Sequence, residues 1–526
     1  MTRRLLTALT GALLLLAGAV PASADAADVV RIDAGSLRGF TAGGHRAFLG
    51  VPYARPPVGA LRWKAPERPA AWPGVRDATR YGAICPQPAT DFGGAVDTED
   101  CLNLNVYAPT GAETAGLPVI VWLHGGSWAF GDANGDAGGL AEAAHAVVVA
   151  VNFRQGLFGN LALESLRTED PALNYTTQDQ QEALRWVARN IGAFGGDPRQ
   201  VTLMGQSSGS IGVCANYASP AASGLFQRAV LLSGSVCGSE KTYGTTLANA
   251  TKTGSAFAAK VGCPDGPGQL ACLRAKPARE LLDAAPFTQG PNTPFFFPQV
   301  LDGVVIPDTP VSMIKSGRVP VRPILAGTTS DEGYLFAALG LKANHGVEPT
   351  EADYQKLMTE FAGAAAPIAT FLYPSWRYGS PLKALSALMG DMLFGCATDT
   401  GLQEAAPLAP TYAYLFDDPG APPILPGLSP ASTHAADLPY FFDPKSAAFT
   451  PEQTALSAQM SAYLASFVRN GDPATSGQPA WPRYDRTAQH LRHLRPGGPA
   501  GTTGPGYLYL GHRCYIWNLV GGFITF

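Results

Sequence analysis

The run Leu117-Pro118-Val119-Ile120-Val121-Trp122-Leu123 is apolar at every position. A strand that reads this way is covered on both faces, as in a parallel sheet flanked by helices. Ala146-Val147-Val148-Val149-Ala150-Val151 has the same character, and shorter apolar segments at 201–203, 229–232, 323–326 and 411–416 predict four more strands. Between them the spacing changes to the helical period. Over 178–190, Ala183, Leu184, Val187 and Ala188 share one face, while Gln180, Glu182, Arg185 and Arg189 lie on the other. Thr450-Pro451-Glu452 predicts a helix start, with Thr as N-cap and Pro in the first turn, and Asn470-Gly471 predicts its exit. Residues 29–49 read as short antiparallel strands around turns at Gly35, Gly39 and Gly43-Gly44.

Strands alternating with helices imply an α/β fold with a mostly parallel central sheet and helices on both faces. The chemistry is then expected beyond the C-terminal strand ends. The Pro/Gly-rich stretches 131–139 and 262–298 read as long excursions that wall a pocket.

The chain's beginning concerns address. Met1-Thr2-Arg3-Arg4 is basic, residues 5–20 are apolar, and Ala22-Ser23-Ala24 is a small-x-small site, so a secretory signal peptide over 1–24 is expected. Residues 25–526 are then expected to form one large domain, and the expected location is extracellular. No other stretch is long and apolar enough to span a bilayer, so no stable membrane insertion is expected. Charged residues make up 15% and the net charge is -4, which leaves no basic field for nucleic acid. The protein is expected to be a monomer.

The eight cysteines fit an exported chain. None forms a CxxC pair and the eight histidines do not cluster beside them, so neither a zinc site nor any other metal is expected. Cys85 with Cys101 and Cys263 with Cys272 each enclose a short loop, and Cys396 with Cys514 would tie a long excursion to the C-terminal segment. Cys214 and Cys237 are left as a fourth bridge or two buried thiols.

Candidate chemistry centres on Gly205-Gln206-Ser207-Ser208-Gly209, which follows a β-branched run and precedes helix signals. Gly-x-Ser-x-Gly in that setting is a nucleophile elbow, a sharp strand-to-helix turn that presents the serine hydroxyl. Its base and orienting acid should follow in the chain, in the order acid then histidine. Of the later histidines, His434 sits on a small-residue loop after the 411–416 strand, whereas His345 lies in a polar stretch expected to face solvent. Asp331 and Glu332, in Gly327-Thr328-Thr329-Ser330-Asp331-Glu332-Gly333, are tied as the acid on pattern alone. His124-Gly125-Gly126-Ser127-Trp128 follows a strand and can turn its amides inward as an oxyanion hole, joined by the amide of Ser208.

These residues closely resemble the type-B carboxylesterase/lipase family of α/β-hydrolases, which includes the cholinesterases. The resemblance runs from about Val30 onward and is carried also by Phe48-Leu49-Gly50-Val51-Pro52-Tyr53-Ala54-Arg55-Pro56-Pro57, Glu99-Asp100-Cys101-Leu102-Asn103-Leu104-Asn105-Val106 and Phe194-Gly195-Gly196-Asp197-Pro198. Asp331-Glu332-Gly333 matches the family's acid motif, which implies that Glu332 is the triad member. His434 with Asp437-Leu438-Pro439-Tyr440 matches the segment bearing the catalytic histidine. The resemblance further implies oxyanion donors at Gly126, Ser127 and Ser208, and the bridges Cys85–Cys101, Cys263–Cys272 and Cys396–Cys514. It implies no cofactor.

Departures qualify the substrate. Ser127 stands where a glycine or alanine is usual, Gln206 where a glutamate is usual, and no tryptophan lies between Phe92 and Cys101. The last two weaken cation recognition and argue against acetylcholine. Thr176-Thr177 replaces a usual Gly-Leu. Trp128 and the group Phe295, Phe296 and Phe297 are candidate pocket walls, suited to apolar acyl or aryl esters. The expected activity is a secreted serine carboxylesterase. The alternatives are a lipase acting on acylglycerols and a non-catalytic binding module on the same fold.

Overall fold

In the computed structural model, residues 28–234, 237, 244–287, 295–347, 349–498 and 501–520 are described. The expected signal segment lies outside them. Among the described residues, ten strands form the central sheet: β1 Phe40–Ala42, β2 His45–Pro52, β3 Asn103–Pro109, β4 Leu117–Leu123, β5 Val147–Val151, β6 Gly196–Gln206, β7 Arg228–Leu232, β8 Ile324–Thr329, β9 Thr411–Phe416 and β10 Leu491–Leu494. Their order across the sheet is β10-β9-β8-β7-β6-β4-β5-β3-β2-β1. Seven strands, β10 through β5, pair in parallel, and β3, β2 and β1 complete the sheet antiparallel.

The all-apolar run of β4 has the cause expected of it. Val119, Val121 and Leu123 enter the core on one face, and Ile120 and Trp122 the core on the other. Helix α1 (Tyr175–Asn190) covers the first face through Leu184, Trp186 and Val187, together with α2 (Ser208–Ala218). Helix α3 (Gly333–Gly340) follows β8, and helix α4 (Pro451–Asn470) covers the second face with Met460, Leu464 and Phe467. Each such fully buried aliphatic or aromatic side chain contributes roughly 1.5–3 kcal/mol. The caps of α4 form as the sequence predicts. Thr450 Oγ1 accepts from the Gln453 amide at 3.3 Å, Gln453 Oε1 accepts from the Thr450 amide at 2.9 Å, and Gly471 exits with φ 74°.

Two segments differ from the reading of the sequence. β3 is a fully buried strand that alternating polar residues, Asn103 and Asn105, hide from a hydrophobicity pattern. The described part of the 262–298 excursion carries two short helices, Gln269–Ala275 and Ala278–Ala284, which pack Leu273, Leu281 and Leu282 into a satellite core.

Candidate active site

The turn between β6 and α2 holds Ser207 at φ 56° and ψ -129°, a conformation few non-glycine residues adopt. It is over-determined by close packing. A Cβ on Gly209 would fall 2.1 Å from the Leu123 carbonyl oxygen, and one on Gly205 would fall 2.4 Å from the Gly209 carbonyl oxygen. The Ser207 amide donates to the Leu232 carbonyl at 2.9 Å, which ties the elbow to β7.

Two loops at the C-terminal ends of β8 and β9 bring an acid and a histidine together. The Asp331 amide donates to the Ser432 carbonyl at 3.0 Å, and the Leu335 amide donates to Thr433 Oγ1 at 2.9 Å. His434 Nδ1 then meets Glu332 Oε2 at 2.6 Å, both side chains being buried. Glu332 Oε1 accepts from Thr328 Oγ1 at 2.8 Å and from the Thr329 amide at 2.7 Å. Burial raises the Glu332 carboxyl, but the facing His434 ring and the Thr329 amide outweigh it, so its pKa is lowered and it stays ionised. Asp331 turns the other way, to Ser386 Oγ, and burial pushes it up to about 6.

An ionised Glu332 fixes the histidine proton on Nδ1, leaving a lone pair on Nε2. Gln206 Nε2 takes that position, 3.0 Å from His434 Nε2. Among the described residues, no hydrogen bond joins Ser207 Oγ to the imidazole. The ring itself is held between Phe336, centroid 5.0 Å away, and Phe394, 4.6 Å away. Asp437 lies behind the pair, fully buried, and accepts from Tyr414 at 2.6 Å; burial first, then the Glu332 charge, pushes it up to about 6.

Beside Ser207 runs the loop after β4. Gly126 (φ 121°), Ser127 (φ 54°) and Trp128 (φ 54°) all have positive φ, which bends the chain around the elbow. Gly126 cannot be replaced here, because a Cβ would lie 1.8 Å from the Phe130 carbonyl oxygen. The Ala129 and Phe130 amides donate to the Gly126 carbonyl at 2.9 and 3.0 Å. Among the described residues, no protein carbonyl accepts from the Gly126 or Ser127 amides. The Ser208 amide, at the first position of α2, has no intrahelical partner. A Cβ on Gly125 would come within 3.0 Å of Ser207 Cβ, so loop and elbow are in contact.

A carboxylesterase family model matches residues 26–500 of the chain. The chain belongs to this family. Para-nitrobenzyl esterase of Bacillus subtilis (strain 168) is 35% identical over 87% of this chain and 92% of its own. Human cocaine esterase is 32% identical over 90% and 87%. A solved structure titled PNB esterase superposes with a TM-score of 0.74 at 34% identity, covering 91% of this chain and 97% of that one. The α/β-hydrolase fold and a carboxylic-ester hydrolase activity follow.

A cleft in this esterase opens beside the Gly126–Ser127 loop. Trp128, Phe158, Phe287, Phe295, Phe296 and Phe297 line it, with Pro86, Pro88 and Leu282, and among the described residues no carboxylate does. Trp128 meets Phe296 edge-on at 5.8 Å, while Phe295 and Phe297 lean on Phe257 and join the satellite core. All four candidate wall residues therefore come to one cleft. Four disulfides are present: the three expected, and Cys214–Cys237, which settles the pair left open. Thr176 also gains a reason, since its hydroxyl donates to the Arg154 carbonyl at 2.7 Å. Phe336, Phe394 and the bond from Gln206 to His434 were not foreseen; only the Gln206 departure from the family motif hinted at one of them.

Proposed function

We propose that this carboxylesterase is secreted and cleaves esters with apolar or aromatic acyl groups through an acyl-enzyme on Ser207. The observation that carries the reading is the buried 2.6 Å His434–Glu332 pair set beside a serine with positive φ. In this reading Gln206 yields Nε2 as substrate arrives, and catalytic contacts often tighten only then. Ser207 Oγ attacks the ester carbonyl, and its proton passes to His434 Nε2. The Gly126, Ser127 and Ser208 amides stabilise the oxyanion; each such donor is worth roughly 3–4 kcal/mol in the transition state. Imidazolium, held by Glu332, protonates the departing alcohol. Water then repeats the sequence on the acyl-enzyme and frees the acid. The steps call on no metal or cofactor.

A cleft whose described lining is aromatic and apolar supports neutral aryl or alkyl esters over cationic ones. The Bacillus subtilis relative, named for para-nitrobenzyl esters, supports the same class. Four disulfides support an oxidising compartment, hence export. The family match over 26–500 supports a single catalytic domain. Initial rates on 4-nitrophenyl esters of rising acyl length, with Ser207→Ala in parallel, test the reading. Activity on short and aromatic acyl groups that vanishes in the variant is expected. A rate that jumps only when long-chain ester forms an interface would make the protein a lipase. Equal inactivity of folded wild type and variant would favour the binding module.

A further inference from the structure

His124 is buried and has no step in the chemistry above. Its ring lies parallel to Phe153, centroids 4.4 Å apart and 9° between planes. Its Nδ1 is 2.8 Å from the Gly125 carbonyl oxygen, so Nδ1 carries the proton and donates. Burial holds the imidazole below its ordinary pKa, which keeps it neutral. Among the described residues, this is the only hydrogen bond to that carbonyl. The carbonyl is also boxed in, since a Cβ on Gly131 would fall 2.4 Å from the Gly125 oxygen and 2.7 Å from His124 Nδ1.

The Gly125 carbonyl and the Gly126 amide belong to one planar trans peptide, so they point in opposite directions. Whatever holds the carbonyl outward aims the N–H inward. Both glycines flanking that peptide lack a Cβ, and rotation of the peptide plane is otherwise weakly resisted. We propose that His124 is a positioning residue: through Nδ1–H to the Gly125 carbonyl it fixes the plane of the Gly125–Gly126 peptide, and with it the Gly126 oxyanion donor. The proposal rests on the acyl-transfer reading given above.

Two variants separate hydrogen bonding from packing. His124→Phe keeps a ring against Phe153 and deletes the donor. In His124→Asn, the side-chain amide nitrogen occupies the place of Nδ1 and donates again. The readout is affinity for an aryl trifluoromethyl ketone. Such a ketone adds to the serine: the Oγ–carbon bond forms, the carbonyl π pair becomes an oxyanion in the hole, and the hydroxyl proton moves to His434. Substrate kinetics and thermal denaturation of each variant are measured alongside. His124→Phe is expected to weaken ketone binding and lower kcat together, by about 10- to 100-fold. That is less than the roughly 10²–10³-fold lost on deleting a donor outright. KM should change less than twofold, and His124→Asn should recover most of the loss. Wild-type ketone affinity in His124→Phe would overturn the proposal. So would an equal loss in a folded His124→Asn, which would assign the effect to ring packing. Failure of wild type to bind the ketone in a Ser207-dependent way would instead overturn the acyl-transfer reading, and this inference with it.

Discussion

Gln206 Nε2 lies 3.0 Å from His434 Nε2, so in the free protein that ring nitrogen is held by an amide and not by Ser207. A glutamate at this position has no proton to give a neutral imidazole, but it attracts an imidazolium. Gln206→Glu is therefore expected to move the acid limb of the kcat/KM profile to higher pH by about one unit, the low end of the shift an adjacent opposite charge produces. Gln206→Ala, which only removes a donor to the neutral ring, should move the limb the same way but by less. A pH–rate profile of the three proteins checks this, and an unmoved limb in Gln206→Glu would show that the side chain does not face the base.

The elbow's tolerance is set by backbone, which cannot move aside. A Cβ on Gly209 meets two carbonyl oxygens, of Leu123 at 2.1 Å and of His124 at 2.4 Å. Gly209→Ala should cost about 1–3 kcal/mol, the usual range for overpacking. Because the displaced strand end carries the Gly125–Ser127 loop, the proposed oxyanion hole, kcat should fall as well. Urea denaturation and steady-state kinetics measure both; full activity at reduced stability would contradict the shared origin.

Asp437 gives a pH signature. Burial pushes it up to about 6, against about 3.9 when unfolded. The folded chain thus holds this proton more tightly than the unfolded chain. Its stabilising contribution is present below about pH 4 and is lost as pH rises through 6. Glu332 has the opposite sign, since its lowered pKa gives stability that is lost only as pH falls through it. Asp437→Asn still accepts from Tyr414 and carries no charge. It should stabilise the protein at pH 8 by up to about 3 kcal/mol, and little at pH 4. Denaturant melts at both values decide, and an equal offset at the two would exclude titration as the cause.

The Cys214–Cys237 bridge joins α2, which begins directly after Ser207, to the segment after β7, across 23 residues. Closing a loop of that length is worth about 3 kcal/mol in the chain-entropy account. Replacing both cysteines by alanine should lower stability by that order while leaving KM unchanged. Chemical denaturation of the double variant is the check, and an unchanged midpoint would contradict it.

What the sequence disclosed follows from physics that is local. The β4 run, the Thr450 cap and the Gly-x-Ser-x-Gly turn each depend on neighbours along the chain, and each lies where it was expected. The pairing of Glu332 with His434 crosses 102 positions. Chain order narrowed that search, but the choice between Asp331 and Glu332 came from resemblance, because adjacent acids differ only in which way the turn aims them. Phe336 and Phe394 reach His434 from separate helical segments, and Asn103 and Asn105 sit buried in β3 through partners elsewhere in the fold. No periodicity records such contacts.

The proposed ester hydrolysis requires covalent chemistry at Ser207. The most direct measurement is peptide mass mapping after titration with diethyl 4-nitrophenyl phosphate, following released nitrophenolate and residual esterase activity together. One equivalent of nitrophenolate per chain, phosphorylation on the peptide bearing Ser207, and parallel loss of activity are expected. Inactivation with the label on another residue, or undiminished ester hydrolysis by Ser207→Ala, would contradict it.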